Sequence, residues 1–192
     1  MKVCIINGNE QYVKMFKDRG WDIIPQPFEA DLIQFTGGAD VSPFIYGQEN
    51  IASHCDYNRD LFEAGIFAIA KRMGIPMAGI CRGGQFLNVM CGGSMIQDIP
   101  NHAIGGKHKA LCFDDNTMKV PVVEVTSTHH QAMLTNNIWE CETIAVSEDG
   151  INEIVYYDEY NCLCFQPHPE FHNADECRDC YFDLLEQYLG VN

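Results

Sequence analysis

Basic residues are scarce in this sequence. Its 192 residues include 12 lysines and arginines against 27 aspartates and glutamates, which gives a net charge of −15. A chain this acidic is disfavoured against the phosphate backbone of a nucleic acid or an anionic membrane surface, because like charges repel. Long hydrophobic runs are also missing, since no stretch of the sequence approaches the ~18 apolar residues that a spanning helix needs. We therefore expect neither a nucleic-acid nor a membrane partner.

The N-terminal apolar run is too short for an export signal. It covers about five residues, against the longer apolar stretch of a secretory signal, and a polar segment follows at 7–10. A cytoplasmic location is therefore expected. The ten cysteines are then interpreted as reduced thiols, because no secretory context favours disulfides. Several lie in apolar runs typical of buried thiols, namely Cys4, Cys91, Cys141, Cys162 and Cys164.

Short apolar runs alternate with helical patterns along the first half of the chain. Segments with helical spacing end at glycine, as at Gly20 and Gly74, whereas the apolar runs end at turn residues. This order predicts parallel strands joined by helices, with both faces of the sheet covered. The pattern predicts strands at 2–7, 21–24, 32–36 and 76–80, and helices at 10–19, 59–73 and 85–91.

The second half of the chain is richer in strands. Strands are predicted at 120–126, 143–146, 154–157 and 162–166, and a closing amphipathic helix at 174–189. These strands either extend the sheet or add a small antiparallel layer. No internal repeat or low-complexity linker interrupts the sequence, so residues 1–192 are expected to form one domain.

The most informative segment spans residues 75–100. A buried strand ends at Ile80, Cys81 follows at once, and a helix begins after a pair of glycines. A nucleophile there would occupy a sharp strand-to-helix turn, with Gly79 and Gly83 providing the room that such a turn needs. The adjacent helix N-terminus favours a thiolate. The alternative interpretation, a buried and inert thiol, is disfavoured by the glycine spacing.

A thiolate nucleophile needs a base that can return a proton to the leaving nitrogen, and histidine is suited to that role. His168 and Glu170 follow the predicted strand at 162–166 in a proline-stiffened turn, so Cys81, His168 and Glu170 form a candidate Cys–His–Glu set. Other histidines fall in polar loops where they are expected to be solvated, namely His54, His102, His108 and His172.

Five ordered motifs make the sequence resemble the class I, or triad, glutamine amidotransferases, and most closely their γ-glutamyl hydrolase branch (peptidase C26), which includes γ-glutamyl-γ-aminobutyrate hydrolase. The motifs are TGGADVSPFIYGQ at 36–48, Arg59-Asp60 with Glu63, GICRGGQFLNV at 79–89 with GGSMIQDI at 92–99, STHHQ at 127–131, and FQPHPE at 165–170. The resemblance implies a single-domain, flavodoxin-like α/β fold. Its central, mostly parallel sheet would be flanked by helices and carry a small antiparallel layer.

The resemblance also implies the roles of individual residues. Cys81 would attack the γ-carbonyl of a γ-glutamyl amide and form a thioester, His168 would act as general acid and base, and Glu170 would orient it. The backbone N–H groups of Gly38 and Arg82 would form the oxyanion hole. The glutamyl group would be recognised by Gly37, Gln85, Ser127, Thr128, His129 and His130.

The implied activity is hydrolysis of a small γ-glutamyl-amine compound to glutamate and the amine. One alternative is a glutaminase subunit that delivers ammonia to a partner synthase; another is a non-catalytic binding module. No cofactor is required by this chemistry, and no metal is expected, because Cys177-x-x-Cys180 has no second pair. Whether the chain forms a homodimer is left open.

The locally basic segment 102–119, with Lys107 and Lys109, is interpreted as a rim of the pocket. Arg59 and Asp60 are interpreted as a structural ion pair or helix cap.

Overall fold

Regular structure covers most of residues 1–113, 121–135 and 141–191, which are the residues that this computed structural model describes. The helices begin and end where the sequence favours it: the Asn9 side chain caps the first helix by accepting from Gln11 N, and Asp56 caps the second by accepting from Arg59 N. The helices are α1 Glu10–Asp18, α2 Tyr57–Met73, α3 Arg82–Met90 and α4 Asp175–Leu189. The strands are β1 Lys2–Ile6, β2 Asp22–Ile23, β3 Leu32–Phe35, β4 Met77–Ile80, β5 Ser94–Ile96, β6 Gly106–Cys112, β7 Val122–Ser127, β8 Ala132–Leu134, β9 Glu142–Ser147, β10 Asn152–Tyr157 and β11 Cys162–Phe165.

One mixed sheet joins all these strands. Its first half is parallel, in the order β2-β1-β3-β4-β11, and its second half continues as antiparallel β10-β9-β6-β7. The short β5 and β8 pair with each other, and β8 also pairs with β10. The α/β class is confirmed. Of the two arrangements left open for the later strands, extension of the same sheet is the one observed, so antiparallel pairing has a larger share than the sequence predicted.

Three strands were not predicted, namely the short β5 and β8 and the seven-residue β6. Of these, β6 lies inside the segment 102–119 that matched no motif, and residues 114–119 of that segment lie outside the described residues. Residue 120, the first residue of the strand predicted at 120–126, lies outside them as well. The helix α3 begins at Arg82, directly after Cys81, instead of at residue 85.

The helices cover both faces of the sheet, which gives two apolar layers. Residues of α1 and α4, such as Phe16 and Tyr181, pack on one face together with Val3. Residues of α2 and α3, such as Phe67, pack on the other face together with Cys4. Neighbouring β1 residues thus point to opposite layers, as the two-residue period of a strand requires.

The cysteines form no disulfide. All ten lie among the described residues, and Cys4, Cys91, Cys162 and Cys164 are buried as the apolar pattern predicted, whereas Cys141 is half-buried. Cys177 and Cys180 both lie on α4. Among the described residues, no helix has the length and apolar character that crossing a bilayer requires.

Candidate active site

The segments that contain the candidate catalytic residues follow three adjacent parallel strands. Gly37 and Gly38 come after β3, Cys81 after β4, and His168 and Glu170 shortly after β11. Because β3, β4 and β11 are neighbours with the same direction, their carboxyl ends meet at one edge of the sheet. Open α/β sheets bind their ligands at this edge. The topology therefore brings together residues that are far apart in the sequence.

Cys81 has an unusual backbone conformation, with φ 52° and ψ −116°. This is costly for a residue with a side chain, so the surrounding structure must hold it. Its N–H donates to Phe165 O at 2.8 Å, and its carbonyl accepts from Gln85 N at 3.0 Å. These bonds fix a sharp strand-to-helix turn and leave the half-buried thiol at its apex.

Two glycines allow α3 to approach the sheet closely beneath this turn. A Cβ on Gly79 would lie 2.3 Å from the carbonyl of Gly83, and a Cβ on Gly83 would lie 2.4 Å from Phe35 O. Both distances are shorter than any tolerable contact, so neither position accepts a side chain without displacing backbone. The room that the sequence assigned to these two glycines is therefore needed in the structure.

His168 lies between Cys81 and Glu170. Its Nδ1 is 2.6 Å from Oε1 of the buried Glu170, and its backbone N–H donates to Thr126 Oγ1 at 2.6 Å. The ring stacks on Phe171, with centroids 4.5 Å apart. Burial alone lowers the pKa of His168, but the charge and hydrogen bond of Cys81, followed by those of Glu170, outweigh burial and raise that pKa to about 10. The arrangement thus favours the protonated imidazolium form of His168 beside the Cys81 sulfur.

The turn after β3 is fixed by hydrogen bonds from two helices. Tyr12 of α1 accepts from Gly37 N at 3.0 Å, and Arg59 of α2 donates to Gly37 O at 3.0 Å and to Thr36 O at 2.8 Å. The Gly37 carbonyl and the Gly38 N–H belong to one trans peptide, so they point in opposite directions. The bond from Arg59 therefore directs the Gly38 N–H away from α2. Gly38 has φ +143°, which strongly favours glycine.

A buried ion-pair network lies under this turn. Glu63 pairs with Arg59 at 2.7 Å and also with Arg82, whose guanidinium pairs in addition with Asp60. The Asp60 and Glu63 side chains are fully buried. Asp60 also accepts from Ser42 N at 3.1 Å. Arg59 and Asp60 are thus structural, as predicted, but each pairs with another residue instead of with its neighbour, and the helix cap is Asp56.

A cavity of about 150 Å³ opens beside Cys81. Most of the predicted site residues line it together with two that were not predicted, the full lining being Gly38, Asp40, Cys81, Arg82, Gln85, Thr128, His129, His130 and Gln131. Gly37 does not line it but lies next to His168 and Cys81, because a Cβ there would be 3.1 Å from His168 Cε1 and 3.7 Å from Cys81 Cβ. Ser127 is not brought into the cavity, since its fully buried hydroxyl donates to His102 O at 2.6 Å.

Four further histidines were expected to be solvated, and this is wrong for two of them. His54 and His172 are exposed, but His102 is buried and His108 lies on β6 with its side chain only 17% exposed. Both pack near Glu153, which comes from a distant strand that the local polar pattern could not reveal. The neighbouring Lys107 pairs with Glu124 at 2.8 Å on the surface, and neither it nor Lys109 lines the cavity.

Burial shifts the pKa values of two side chains in this region, His129 and Tyr12. Burial lowers the pKa of His129 to about 4, so its ring is neutral at pH 7. Burial, followed by the charge of Glu170, raises the pKa of Tyr12 well above its usual value. The sequence analysis did not identify Tyr12, because no local pattern shows that its hydroxyl contacts both Gly37 and Glu170.

Three comparisons place the chain among known proteins. A sequence model described as Peptidase C26 matches residues 28–170. The glutamine amidotransferase-like protein YvdE of Lactococcus lactis is 33% identical over 195 aligned residues, which cover 84% of this chain and 79% of that protein. Among solved structures, a GMP synthase subunit of Thermoplasma acidophilum matches with a TM-score of 0.69, 18% identity and coverage of 99% and 92%. A glutamine amidotransferase of Thermotoga maritima matches with a TM-score of 0.67, 17% identity and coverage of 99% and 89%.

Proposed function

The chain belongs to the peptidase C26 family of class I glutamine amidotransferase-type proteins, and we propose that it hydrolyses the γ-glutamyl amide bond of a small γ-glutamyl-amine compound. The observation that carries the proposal is the conformation of Cys81, which is held at a strained turn beside the His168–Glu170 pair and a cavity. Backbone strain of this kind is typical of active sites.

In the proposed reaction, Cys81 Sγ attacks the γ-carbonyl carbon, and the carbonyl oxygen becomes an oxyanion. The N–H groups of Gly38 and Arg82 donate hydrogen bonds to this oxyanion, and preset donors of this kind contribute several kcal/mol to lowering a barrier. His168 then gives its proton to the leaving nitrogen, the amine departs, and a γ-glutamyl thioester stays on the sulfur. Water, deprotonated by His168, attacks the thioester, which releases glutamate and restores the thiolate.

The cavity wall supports recognition of the glutamyl end. Asp40 contributes a carboxylate, which suits an α-ammonium group, and Gln85, Thr128 and His130 contribute polar side chains that suit an α-carboxylate. Asp40 is itself held, since it lies 3.2 Å from His130 Nε2 and accepts from His54 N at 2.8 Å. The site as proposed needs no cofactor, because sulfur, imidazole and backbone donors complete the cycle.

A panel of γ-glutamyl amides, glutamine included, tests the proposal. We expect wild-type protein to release glutamate from at least one γ-glutamyl amine, Cys81→Ala to release none, and the matched control Cys55→Ala to keep full activity. The electrophilic glutamine analogue diazo-oxo-norleucine should label Cys81 of the wild-type protein, which intact-mass measurement detects as a covalent adduct that is missing in Cys81→Ala. Hydrolysis that survives Cys81→Ala, or a complete lack of adduct and turnover across the panel, would refute the proposal.

A second candidate is a glutaminase subunit that passes ammonia to a synthase. This second candidate is considered because the chain matches, over nearly its whole length, a protein described as a GMP synthase subunit. Under this alternative, glutamine turnover by the isolated chain is slow and rises when a co-purifying synthase is added. Fast turnover of a γ-glutamyl amine by the chain alone, unaffected by added proteins, distinguishes the hydrolase.

A further inference from the structure

A second cluster of chemistry-bearing side chains lies behind the wall formed by residues 128–131. His102 Nδ1, His129 Nε2 and Glu153 Oε1 converge there from three separate segments of the chain. The two nitrogens are 3.3 Å apart, and each is 3.7 Å from the carboxylate oxygen. All three residues are buried, with His102 3%, His129 4% and Glu153 0% exposed.

The outer nitrogens of both rings are engaged in a way that fixes the tautomers. His129 Nδ1 is 2.8 Å from the carbonyl oxygen of Gln131, an acceptor only, so Nδ1 carries the proton. His102 Nε2 is 3.2 Å from a carboxylate oxygen of Asp149, so Nε2 carries the proton there. Each ring therefore directs an unprotonated nitrogen into the cluster. Metal-binding histidines are oriented in the same way, by a carbonyl or a carboxylate on the outer nitrogen.

Three acceptor atoms thus face one another without a donor between them. His108 Nε2 lies 3.0 Å from Glu153 Oε1 and offsets part of the carboxylate charge when it is protonated, but its alignment leaves both Glu153 oxygens without a hydrogen-bond partner among the residues that the structure describes. A buried carboxylate whose hydrogen bonds are not satisfied is unfavourable. If His102 Nδ1 bound an extra proton, it would donate to only one of the other two atoms and leave the third without a partner. A cation at the centre, in contrast, contacts all three atoms.

We propose that His102, His129 and Glu153 bind a divalent metal ion of the zinc type. A triangle with edges of 3.3, 3.7 and 3.7 Å has its centre about 2.1 Å from each corner, which matches the ~2.0–2.2 Å bonds of zinc to imidazole nitrogen and carboxylate oxygen. Two imidazoles and a carboxylate are also a donor set that zinc accepts. An ion displaced slightly from this plane towards a water molecule, the fourth ligand, becomes tetrahedral while its bonds stay close to that range.

The surface next to the cluster offers an access route. A cavity of about 170 Å³ is lined by His102, His108, Asn101 and Ser147, with Glu148 and Asp149 contributing acidic groups. Their charge attracts a hydrated cation. Because His129 lines the cavity beside Cys81 and also faces the cluster, the ion would brace the wall of that cavity. The inference concerns a structural metal and does not depend on the reaction proposed for Cys81.

Metal binding by the tag-free, full-length chain tests this inference. After chelator treatment, zinc is titrated by calorimetry and cobalt by visible absorption, with surface thiols alkylated so that cysteines do not compete. Glu153→Gln keeps the size of the side chain and removes its charge, and His102→Ala removes a ligand. His172→Ala is the matched control, because His172 is exposed and lies outside the cluster. Far-UV circular dichroism verifies that each variant is folded.

We expect one equivalent of zinc per chain, a cobalt spectrum of tetrahedral nitrogen and oxygen coordination, and a loss of affinity of at least about tenfold in both cluster variants. His172→Ala should bind like the wild type. Two results would overturn the inference: wild-type protein that binds neither metal, or binding with a thiolate-to-cobalt band that persists in folded Glu153→Gln. Should a variant not fold, the wild-type stoichiometry and cobalt spectrum still decide.

Discussion

Replacing Cys81 with alanine should lower the pKa of His168. In the wild-type protein the charge and hydrogen bond of Cys81 are the foremost influences that raise this pKa, ahead of those of Glu170, while burial opposes both. Alanine removes the sulfur, so the pKa of His168 is then set by burial, which lowers it, and by Glu170, which raises it. The imidazolium should therefore lose its proton at a lower pH in the variant than in the wild type.

The size of the effect follows from the pKa values. A rise from 6.5 to about 10 corresponds to roughly 5 kcal/mol of preference for the protonated ring. Since Cys81 precedes Glu170 among the groups that raise the pKa, we expect at least half of this preference, on the order of 2–3 kcal/mol, to disappear. The midpoint of His168 should then fall by about two pH units.

A pH titration of the His168 ring by NMR measures the change directly. Wild-type His168 should stay protonated through neutral pH and titrate near 10, and Cys81→Ala should titrate well below that. Cys55→Ala is the control and should reproduce the wild-type midpoint. A folded Cys81→Ala protein with an unchanged midpoint would refute the inference that Cys81 raises the pKa of His168.

Three further predictions concern the support of the site. Gly38→Ala should lower kcat by at least about 100-fold, because a Cβ there would lie 2.2 Å from an Arg59 nitrogen and the backbone has φ +143°; an equal kcat would contradict the proposed donor. Arg59→Met should lower kcat more than it raises KM, since it releases the Gly37 carbonyl; steady-state kinetics that change in KM alone would argue otherwise. Glu63→Gln should lower the free energy of unfolding by about 3–5 kcal/mol in urea, because Arg82 loses a buried partner; a loss below about 1 kcal/mol would contradict this.

The sequence predicted the turn at Cys81 well because the necessary information is local. A buried strand, a cysteine and glycines at fixed spacing describe the turn almost completely, and the structure shows why Gly79 and Gly83 are needed. The set of Cys81, His168 and Glu170 was predicted from residue types and a proline-stiffened strand end, and the parallel pairing of β4 with β11 shows how the two segments reach one edge of the sheet. Most strands and helices followed from periodicity and from capping residues in the same way.

Other features depend on distant contacts that no local pattern carries. The strand β6 contains Lys107, His108 and Lys109, and it forms because its partners β7 and β9 complete the ladder. His102 was expected to be solvated because the sequence does not show that Glu153 of β10 lies beside it in the folded sheet. The contact of Tyr12 with Gly37 likewise crosses from α1 to another segment. The family resemblance supplied roles for cavity residues but gave no indication of this second cluster.

The strand order has a consequence for how the protein is made. β11 lies between β4 and β10, so it is the last strand along the chain but central in the sheet, and α3 packs against it. A ribosome that has released only the segment up to β10 has produced Cys81 without His168 and without the carbonyl of Phe165 that holds its turn. We therefore expect the Cys81 thiol to become reactive only after the segment that carries β11 and His168 has been synthesised and has joined the sheet.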